Sequence, residues 1–307
     1  MLDRIAVIGA GLMGHGIALT FARSGRSVVV QDPDAATRDS LPERVRASMT
    51  ALGCTESEIE ATLPRLTATA DLAEAVSEAD CVFEAAPEKP ALKQAIFAAV
   101  EAAARPDCLF CSNTSVIPIT TIMGGLGRKG RALGTHWWNP PHMIPLVEVI
   151  RTEWTEDAAM DAVFDLLAEV GKRPVRVEKD VPGFIGNRLQ HALWREAVSL
   201  VENGICDAEA VDTVIKESFG RRLAVLGPLE NADLVGTDLA LAVHEIVLPD
   251  IDSRPGPSPY LERLVAEGKL GMKSGEGFRR WTKEEADAVR ARVATHLKRL
   301  DTILDPD

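Results

Sequence analysis

The chain has 307 residues, of which 46% are hydrophobic, 26% charged and 5% aromatic, the composition of a globular protein with one large or two ordinary domains. Its 34 basic and 46 acidic side chains give a formal net charge of −12, which argues against nucleic acid or anionic lipid as a partner. No apolar run reaches the length of a membrane-spanning helix, and the first residues do not resemble a cleaved signal. We therefore expect a cytoplasmic protein.

The five cysteines are an odd number in a long chain without a secretory signal, which predicts reduced thiols. Cys108 and Cys111 form a C-x-x-C pair inside an apolar run that is typical of a buried strand. Residues three apart on a strand face opposite sides, and no second Cys/His pair is nearby. These cysteines are therefore expected to be structural, and we predict no metal site.

From Ile5 to about Asp180, short apolar runs alternate with helical stretches, a pattern typical of a parallel sheet with crossover helices. The predicted strands are residues 4–8, 27–31, 80–84, 108–111, 132–136, 146–150 and 174–178. Beyond Asp180 the apolar period becomes helical, with Gly204 placed to end one helix and Asp207 placed to cap the next. The sequence thus predicts an α/β Rossmann domain with a doubly wound, mostly parallel sheet over residues 1–185, then an all-helical domain over residues 186–307.

A glycine-rich turn follows the first predicted strand, in the form Gly9-Ala10-Gly11-Leu12-Met13-Gly14, and opens a helix. Such a turn lets the backbone approach a pyrophosphate, which the free N–H groups of the helix N-terminus then bind. Asp32 ends the second predicted strand, where a carboxylate hydrogen-bonds the adenosine ribose and repels a 2′-phosphate. We predict NAD as the cofactor, rather than NADP, with Gly9, Gly11, Leu12, Met13, Gly14 and Asp32 in its site.

His136 is the first candidate for a general base, because it falls at a predicted strand end, where doubly wound folds keep their active sites. Glu148 lies in the middle of the next, otherwise apolar strand, and a buried carboxylate there needs a partner such as an imidazole N–H. The pair could remove a hydroxyl proton while a hydride leaves. A core histidine with an unrelated surface glutamate fits the spacing equally well, and His142 is the second candidate base.

Three motifs in this order resemble the 3-hydroxyacyl-CoA dehydrogenase family: His136-Trp-Trp-Asn-Pro, Glu148 after it, and Asp180-Val-Pro-Gly-Phe-Ile-Gly-Asn187-Arg. The resemblance covers nearly the whole chain. It implies that His136 and Glu148 form a catalytic dyad and that Ser115 and Asn187 complete the catalytic site by hydrogen-bonding the substrate oxygen.

The resemblance also implies further cofactor contacts and a homodimer that assembles through the helical domain. The implied contacts to the nicotinamide end of NAD are Glu88, Lys93, Ser115, Asn139 and Lys273. Taken singly, Lys93 and Lys273 are better explained as ordinary solvated charges, whereas the ordered set of motifs favours the cofactor role.

The chain departs from acyl-CoA-specific members of the family in the helical segment after the second strand, where those members hold CoA through Ser and Lys. Ser48 matches the serine, but residues 48–64 contain no Lys or Arg and three glutamates, Glu56, Glu58 and Glu60. Two further departures, Ser115-Val116 in place of a double serine and Trp137-Trp138 in place of a mostly Phe pair, are similar to a branch that oxidises free small hydroxy compounds. That branch includes λ-crystallin and a pyridine-ring dehydrogenase of vitamin B6 breakdown. Arg222 is the predicted anchor for a free carboxylate.

The expected function is NAD-dependent oxidation of a secondary hydroxyl β to a carboxylate or an acyl-CoA thioester. The first alternative is oxidation of a free hydroxy acid, ring alcohol or ring aldehyde without CoA. The 6-phosphogluconate and β-hydroxyacid dehydrogenases share the glycine turn but use a catalytic lysine, so the His136/Glu148 pair argues against them. A non-catalytic NAD-binding protein of crystallin type is the alternative outside enzymes.

Overall fold

The computed structural model describes residues 2–304, and the chain divides into two compact units, Met1–Arg188 and Leu189–Asp307. The first unit is an α/β unit with strands β1 (Arg4–Ile8), β2 (Ser27–Gln31), β3 (Leu66–Thr69), β4 (Cys81–Glu84), β5 (Leu109–Ser112), β6 (Ala132–Trp137), β7 (Leu146–Ile150) and β8 (Arg173–Val177). Its helices are α1 (Leu12–Arg23), α2 (Ala35–Asp39), α3 (Leu41–Leu52), α4 (Glu56–Thr62), α5 (Leu72–Val76), α6 (Pro90–Ala103), α7 (Ile119–Met123) and α8 (Asp157–Glu169).

The eight strands form one sheet in the order β3-β2-β1-β4-β5-β6-β7-β8. Neighbours from β3 to β6 are parallel, β6 and β7 are antiparallel, and β7 and β8 are parallel to each other. The strand order reverses between β1 and β4, and ligands of doubly wound folds bind at the carboxyl ends of the strands beside such a point. This confirms the predicted Rossmann domain with a mostly parallel sheet.

The sequence did not predict strand β3. Seven of the observed strands correspond to the predicted ones, whereas β3 was not foreseen. Its sequence is Leu-Thr-Ala-Thr, it lies at the edge of the sheet, and none of its residues is fully buried. An edge strand with one exposed face does not need an apolar run, so the pattern used to find the central strands is missing there.

Helices cover both faces of the sheet and enclose two hydrophobic clusters. One cluster contains side chains of α1, α3 and α8, and the other contains side chains of α5, α6 and α7. Cys111 belongs to the first cluster and Cys108 to the second, as expected for residues three apart on one strand. All five cysteines are free thiols.

The second unit is helical. Helix α9 (Gly186–Glu202) leads into it, followed by α10 (Ala208–Glu217), α11 (Pro228–Val235), α12 (Thr237–Val247), α13 (Pro259–Ala266) and α14 (Lys283–Leu304). Gly204 has a φ of +68°, which confirms the predicted end of α9. The Asp207 carboxylate accepts a hydrogen bond from the amide of Ala210, which confirms the predicted start of α10. Within the described residues, no helix has both the length and the apolar character that crossing a membrane requires.

Candidate active site

The glycine turn between β1 and α1 depends on each glycine for a different reason. Gly9 has a φ of +98°, and a Cβ there would lie 2.8 Å from the carbonyl oxygen of Ala85. A Cβ on Gly14 would lie 1.7 Å from the carbonyl oxygen of Gly9. A Cβ on Gly11, by contrast, would meet no atom within 4 Å. Gly9 and Gly14 are therefore required by the fold, whereas Gly11 leaves open space at the N-terminus of α1.

Asp32, directly after β2, is fixed beside this turn. Its carboxylate accepts hydrogen bonds from the amide of Ala10 at 2.8 Å and from the amide of Asp34 at 3.0 Å. The open space at Gly11, the free amides of the helix N-terminus and this neighbouring carboxylate are the features that a dinucleotide requires of such a turn. The residues present therefore fit NAD.

His136 and Glu148 lie directly opposite each other in the antiparallel register of β6 and β7. Opposite residues of an antiparallel pair share one face, so their side chains meet. The imidazole Nδ1 and the Glu148 Oε2 are 2.6 Å apart, and both side chains are buried. The other ring nitrogen, Nε2, has no hydrogen-bond partner among the described residues.

The second carboxylate oxygen of Glu148 binds the segment that starts α9. Oε1 accepts hydrogen bonds from the amides of Ile185 at 2.8 Å and Gly186 at 3.0 Å. Burial raises the pKa of the Glu148 carboxyl, but the hydrogen bonds from His136 and from these two amides outweigh burial, so the pKa lies below its ordinary value. Glu148 is therefore an ionised carboxylate at neutral pH.

Aromatic rings pack around the imidazole. The rings of Trp138 and Phe184 have centroids 5.1 Å and 5.8 Å from that of His136. Trp138 also covers Gly186, where a Cβ would lie 2.4 Å from the indole. Phe184 is buried and has a φ of +49°, a conformation that costs energy for a residue other than glycine. The imidazole is thus held by packing as well as by its hydrogen bond.

Ser115 and Asn187 lie in contact with each other, and their implied hydrogen bonds to the substrate oxygen stay a prediction. The side-chain amide of Asn187 donates a hydrogen bond to the backbone carbonyl of Ser115 at 2.9 Å. Ser115 is exposed, and its hydroxyl has no hydrogen-bond partner among the described residues. The amides of Ser115 and Val116 donate to Oε1 of Glu88 at 2.9 and 3.2 Å.

Lys93 is not a solvated charge. Only 1% of it is exposed, and its Nζ lies 2.7 Å from Glu84 Oε1 and 3.4 Å from Glu88 Oε2. Sequence reasoning missed Glu84, although the signal that identified Glu148, an acidic residue in an apolar strand, was present at Cys81-Val-Phe-Glu84. The role of Lys93 in binding the cofactor stays a prediction.

His142 packs against α1 and has no carboxylate partner among the described residues. Its ring centroid is 5.9 Å from that of His15, and its buried Nδ1 has no hydrogen-bond partner there. Burial, and then the positive charges of His15, Lys172 and Arg23, lower the pKa of His142 to about 4. Such a weak base is poorly matched to proton abstraction near neutral pH, which favours His136.

The other predicted contacts are less constrained by the structure. Asn139 is exposed, directly before the cis peptide bond to Pro140. Arg222 and Lys273 are exposed residues of the second unit, Arg222 after a short 3-10 turn and Lys273 in a turn between Gly271 and Glu276. Their assigned roles stay predictions.

Two family models match the chain in succession. The NAD binding domain of 3-hydroxyacyl-CoA dehydrogenase matches residues 4–181, and the C-terminal domain of 3-hydroxyacyl-CoA dehydrogenase matches residues 183–281.

Curated relatives match over most of their length. The chain is 36% identical over 310 residues to a 5-formyl-3-hydroxy-2-methylpyridine 4-carboxylate 5-dehydrogenase of Mesorhizobium japonicum, covering 99% of both chains. It is 36% identical over 279 residues to a probable 3-hydroxybutyryl-CoA dehydrogenase of Deinococcus radiodurans, covering 90% of this chain and 99% of the relative.

Solved structures of dehydrogenases also superpose on nearly the whole chain. The crystal structure of a 5-formyl-3-hydroxy-2-methylpyridine 4-carboxylic acid 5-dehydrogenase, described as an NAD⁺-dependent dismutase, superposes with a TM-score of 0.92 at 36% identity, covering 99% of both chains. An (S)-3-hydroxybutyryl-CoA dehydrogenase from Ralstonia eutropha superposes with a TM-score of 0.77 at 31% identity, covering 92% of this chain and 100% of the other. With both family models matched in order and relatives aligned over nearly its full length, the chain belongs to the 3-hydroxyacyl-CoA dehydrogenase family of NAD-dependent dehydrogenases.

Proposed function

We propose that this chain oxidises a secondary hydroxyl β to a carboxylate or thioester, with His136 as the general base. The observation that carries the proposal is the buried contact of 2.6 Å between His136 Nδ1 and Glu148 Oε2. An ionised carboxylate can only accept a hydrogen bond, so it selects the tautomer with the proton on Nδ1. The lone pair of Nε2 is then available to a substrate hydroxyl.

The remaining residues of the site orient the substrate. The Ser115 hydroxyl would donate a hydrogen bond to the reacting oxygen, and Asn187 would hold the Ser115 backbone through the contact described above. His136 Nε2 would remove the hydroxyl proton, a transfer that contributes typically about 10²–10⁴ in rate. NAD, when bound, supplies the hydride acceptor. In the reverse reaction the protonated imidazole would return the proton.

The test is a side-by-side assay of NADH formation with 3-hydroxybutyryl-CoA and with a panel of free hydroxy acids and ring alcohols. We expect turnover of at least one hydroxy compound by the wild-type chain. His136→Gln should lower kcat by about 10²-fold or more while leaving the NADH dissociation constant within about threefold. Near-normal turnover by His136→Gln would remove His136 from the role of base.

We also propose, as the second candidate, that the substrate carries no CoA. This is supported at α4, where Arg46 of the preceding helix is already ion-paired with Glu56 and Glu60. Glu58 is turned to the start of α4, where it and Thr55 form a reciprocal capping box. A phosphate-rich ligand would find no uncommitted cation on this segment.

The relative from Mesorhizobium japonicum, named for a pyridine carboxylate, supports this second candidate. Arg222 stays the proposed anchor for a free carboxylate. In the assay above, turnover of free hydroxy compounds but not of 3-hydroxybutyryl-CoA would select the second candidate, and the opposite result would reject it.

We propose further that the chain forms a homodimer through its helical unit. Large apolar side chains on α11 and α12 are exposed to solvent, among them Leu229 at 80% and Ile246 at 78%. Exposed apolar surface of this kind marks an interaction site, and the family resemblance makes a second copy the occupant. A cytoplasmic location stays a prediction, which the free cysteines support.

A further inference from the structure

Glu84, the last residue of β4, forms a buried ion pair with Lys93. Glu84 is fully buried, and its Oε1 lies 2.7 Å from the Nζ of Lys93, itself 1% exposed. Taking two charges out of water costs about as much as their attraction returns, so an apolar pair would stabilise the fold at least as well. A role in placing other groups is therefore the better explanation of the pair.

The Glu84 carboxylate connects the ends of two strands. Oε1 also accepts the amide of Ala86 at 2.7 Å, and Oε2 accepts the hydroxyl of Ser112 at 2.6 Å. Ala86 belongs to the turn after β4, whose Ala85 carbonyl packs against Gly9. Ser112 is the last residue of β5, three positions before Ser115. Glu84 thus fixes the turn after β4 and the end of β5, which leads to Ser115.

Lys93 links Glu84 to Glu88, whose carboxylate binds the turn that contains Ser115. Its Nζ lies 3.4 Å from Oε2 of Glu88. The other oxygen of Glu88 accepts hydrogen bonds from the hydroxyl of Thr114 at 2.5 Å and from the amides of Ser115 at 2.9 Å and Val116 at 3.2 Å. An unbroken series of polar contacts therefore runs from Glu84 through Lys93 and Glu88 to the backbone of Ser115.

We propose that Glu84 is a positioning residue, which acts through Lys93 and Glu88 to hold the Ser115 turn where its hydroxyl can meet the substrate oxygen. The inference rests on the proposed function, since only that function gives the turn a substrate. The ammonium of Lys93 lies between two carboxylates and is closer to Glu84. If Glu84 loses its charge, Lys93 draws the Glu88 carboxylate toward itself and away from the two amides.

The test compares amide hydrogen exchange in the chain without cofactor or substrate. In Glu84→Gln we expect the amides of Ser115 and Val116 to exchange about 10-fold faster or more, because both lose their acceptor. In the assay of the proposed function, kcat should fall about 10-fold or more, while KM for the hydroxy substrate changes less than about threefold, because a misplaced Ser115 affects mainly the reacting oxygen.

Glu101→Gln, on the helix that carries Lys93, is the control for the loss of a carboxylate charge. Glu101 of α6 also accepts two loop amides, those of Gly127 at 3.0 Å and Arg128 at 2.6 Å, outside the candidate site. This variant should accelerate exchange at Gly127 and Arg128 and leave the Ser115 amide and kcat unchanged. A general loosening of the fold would instead move both groups of amides in both variants.

A double variant separates positioning from charge balance. Lys93→Met alone leaves two carboxylates without their shared cation and should lower the melting temperature most, whereas adding Glu84→Gln restores the net charge of the cluster and should recover most of that loss. Because the double variant has no Lys93 to draw Glu88 away, its Ser115 and Val116 amides should exchange more slowly than those of Glu84→Gln. Exchange as fast as in Glu84→Gln would overturn the proposal.

Ser112→Ala keeps every charge and serves if Glu84→Gln does not fold. It removes one hydrogen bond to Glu84, so exchange at Ser115 should accelerate by a smaller factor. Unchanged exchange in every folded variant, or faster exchange with unchanged kcat, would overturn the positioning role. A wild-type chain that oxidises no hydroxy compound would contradict the proposed function instead, and the exchange result, which needs no substrate, would still accept or reject the coupling.

Discussion

At the scale of the residue, Glu148 shows how one carboxylate sets two features of a site. Its Oε1 is occupied by the amides of Ile185 and Gly186, so only Oε2 faces His136. The orientation of a glutamine at this position is therefore fixed, because its NH₂ group cannot face the two amide donors.

Replacing Glu148 by glutamine should for this reason be far from conservative. In Glu148→Gln the carbonyl oxygen must face the two amides, so the NH₂ group donates to Nδ1 of His136 and leaves the ring proton on Nε2. We expect kcat to fall by about 10²–10⁴-fold with the fold intact, measured as NADH formation on the best hydroxy substrate. Wild-type turnover in this variant would contradict the tautomer argument.

The same substitution has a pH signature in stability. The pKa of Glu148 in the folded chain lies below its ordinary value of 4.5, so the ionised carboxylate stabilises the fold fully above that value and loses this contribution as pH falls through the lowered pKa. The urea midpoints of wild type and Glu148→Gln should therefore differ at pH 7 and converge at acid pH. A difference that grew on acidification would contradict the assignment.

At the scale of the element, the antiparallel pairing of β6 and β7 brings His136 and Glu148, which are 12 residues apart in sequence, into contact. The chain reverses direction between Trp137 and Leu146, and the resulting antiparallel register places His136 opposite Glu148. The glycine turn is a second element whose geometry can be tested, because its glycines serve different purposes.

Gly11→Ala and Gly14→Ala should separate folding from cofactor binding. A methyl group on Gly11 meets no protein atom, so the melting temperature should stay near that of wild type, while NADH binding weakens about 10-fold or more because the methyl fills the approach to the pyrophosphate. A methyl group on Gly14 collides with the carbonyl oxygen of Gly9, so this variant should lose thermal stability. Unchanged NADH affinity in Gly11→Ala would argue against the assigned site.

At the scale of the whole molecule, the two units differ in how they bury apolar surface. The first unit encloses two large clusters around its sheet, whereas among the described residues of the second unit the buried hydrophobic side chains are Leu264 and Ala286. A helical unit with this little interior and this much exposed aliphatic surface is poorly stabilised on its own.

The proposed homodimer predicts a mass of twice the 33.1 kDa chain in solution. A charge placed in the exposed apolar surface of α12, in Ile246→Glu, should shift the mass measured by light scattering to that of one chain and lower the melting temperature. Arg280→Glu, at an exposed polar position, is the control and should leave the mass unchanged. A wild-type chain that is monomeric at micromolar concentration would contradict the proposal.

The composition, the alternating apolar runs and the glycine turn with Asp32 were enough to predict the Rossmann fold, the helical unit and NAD, because these depend on local patterns and on backbone sterics. The tertiary structure decided that Glu148 faces His136, that Lys93 is buried against Glu84, and that Glu88 gathers the amides of Ser115 and Val116. These contacts join residues on different strands and turns, and strand order and register, which no local pattern encodes, determine which of them meet.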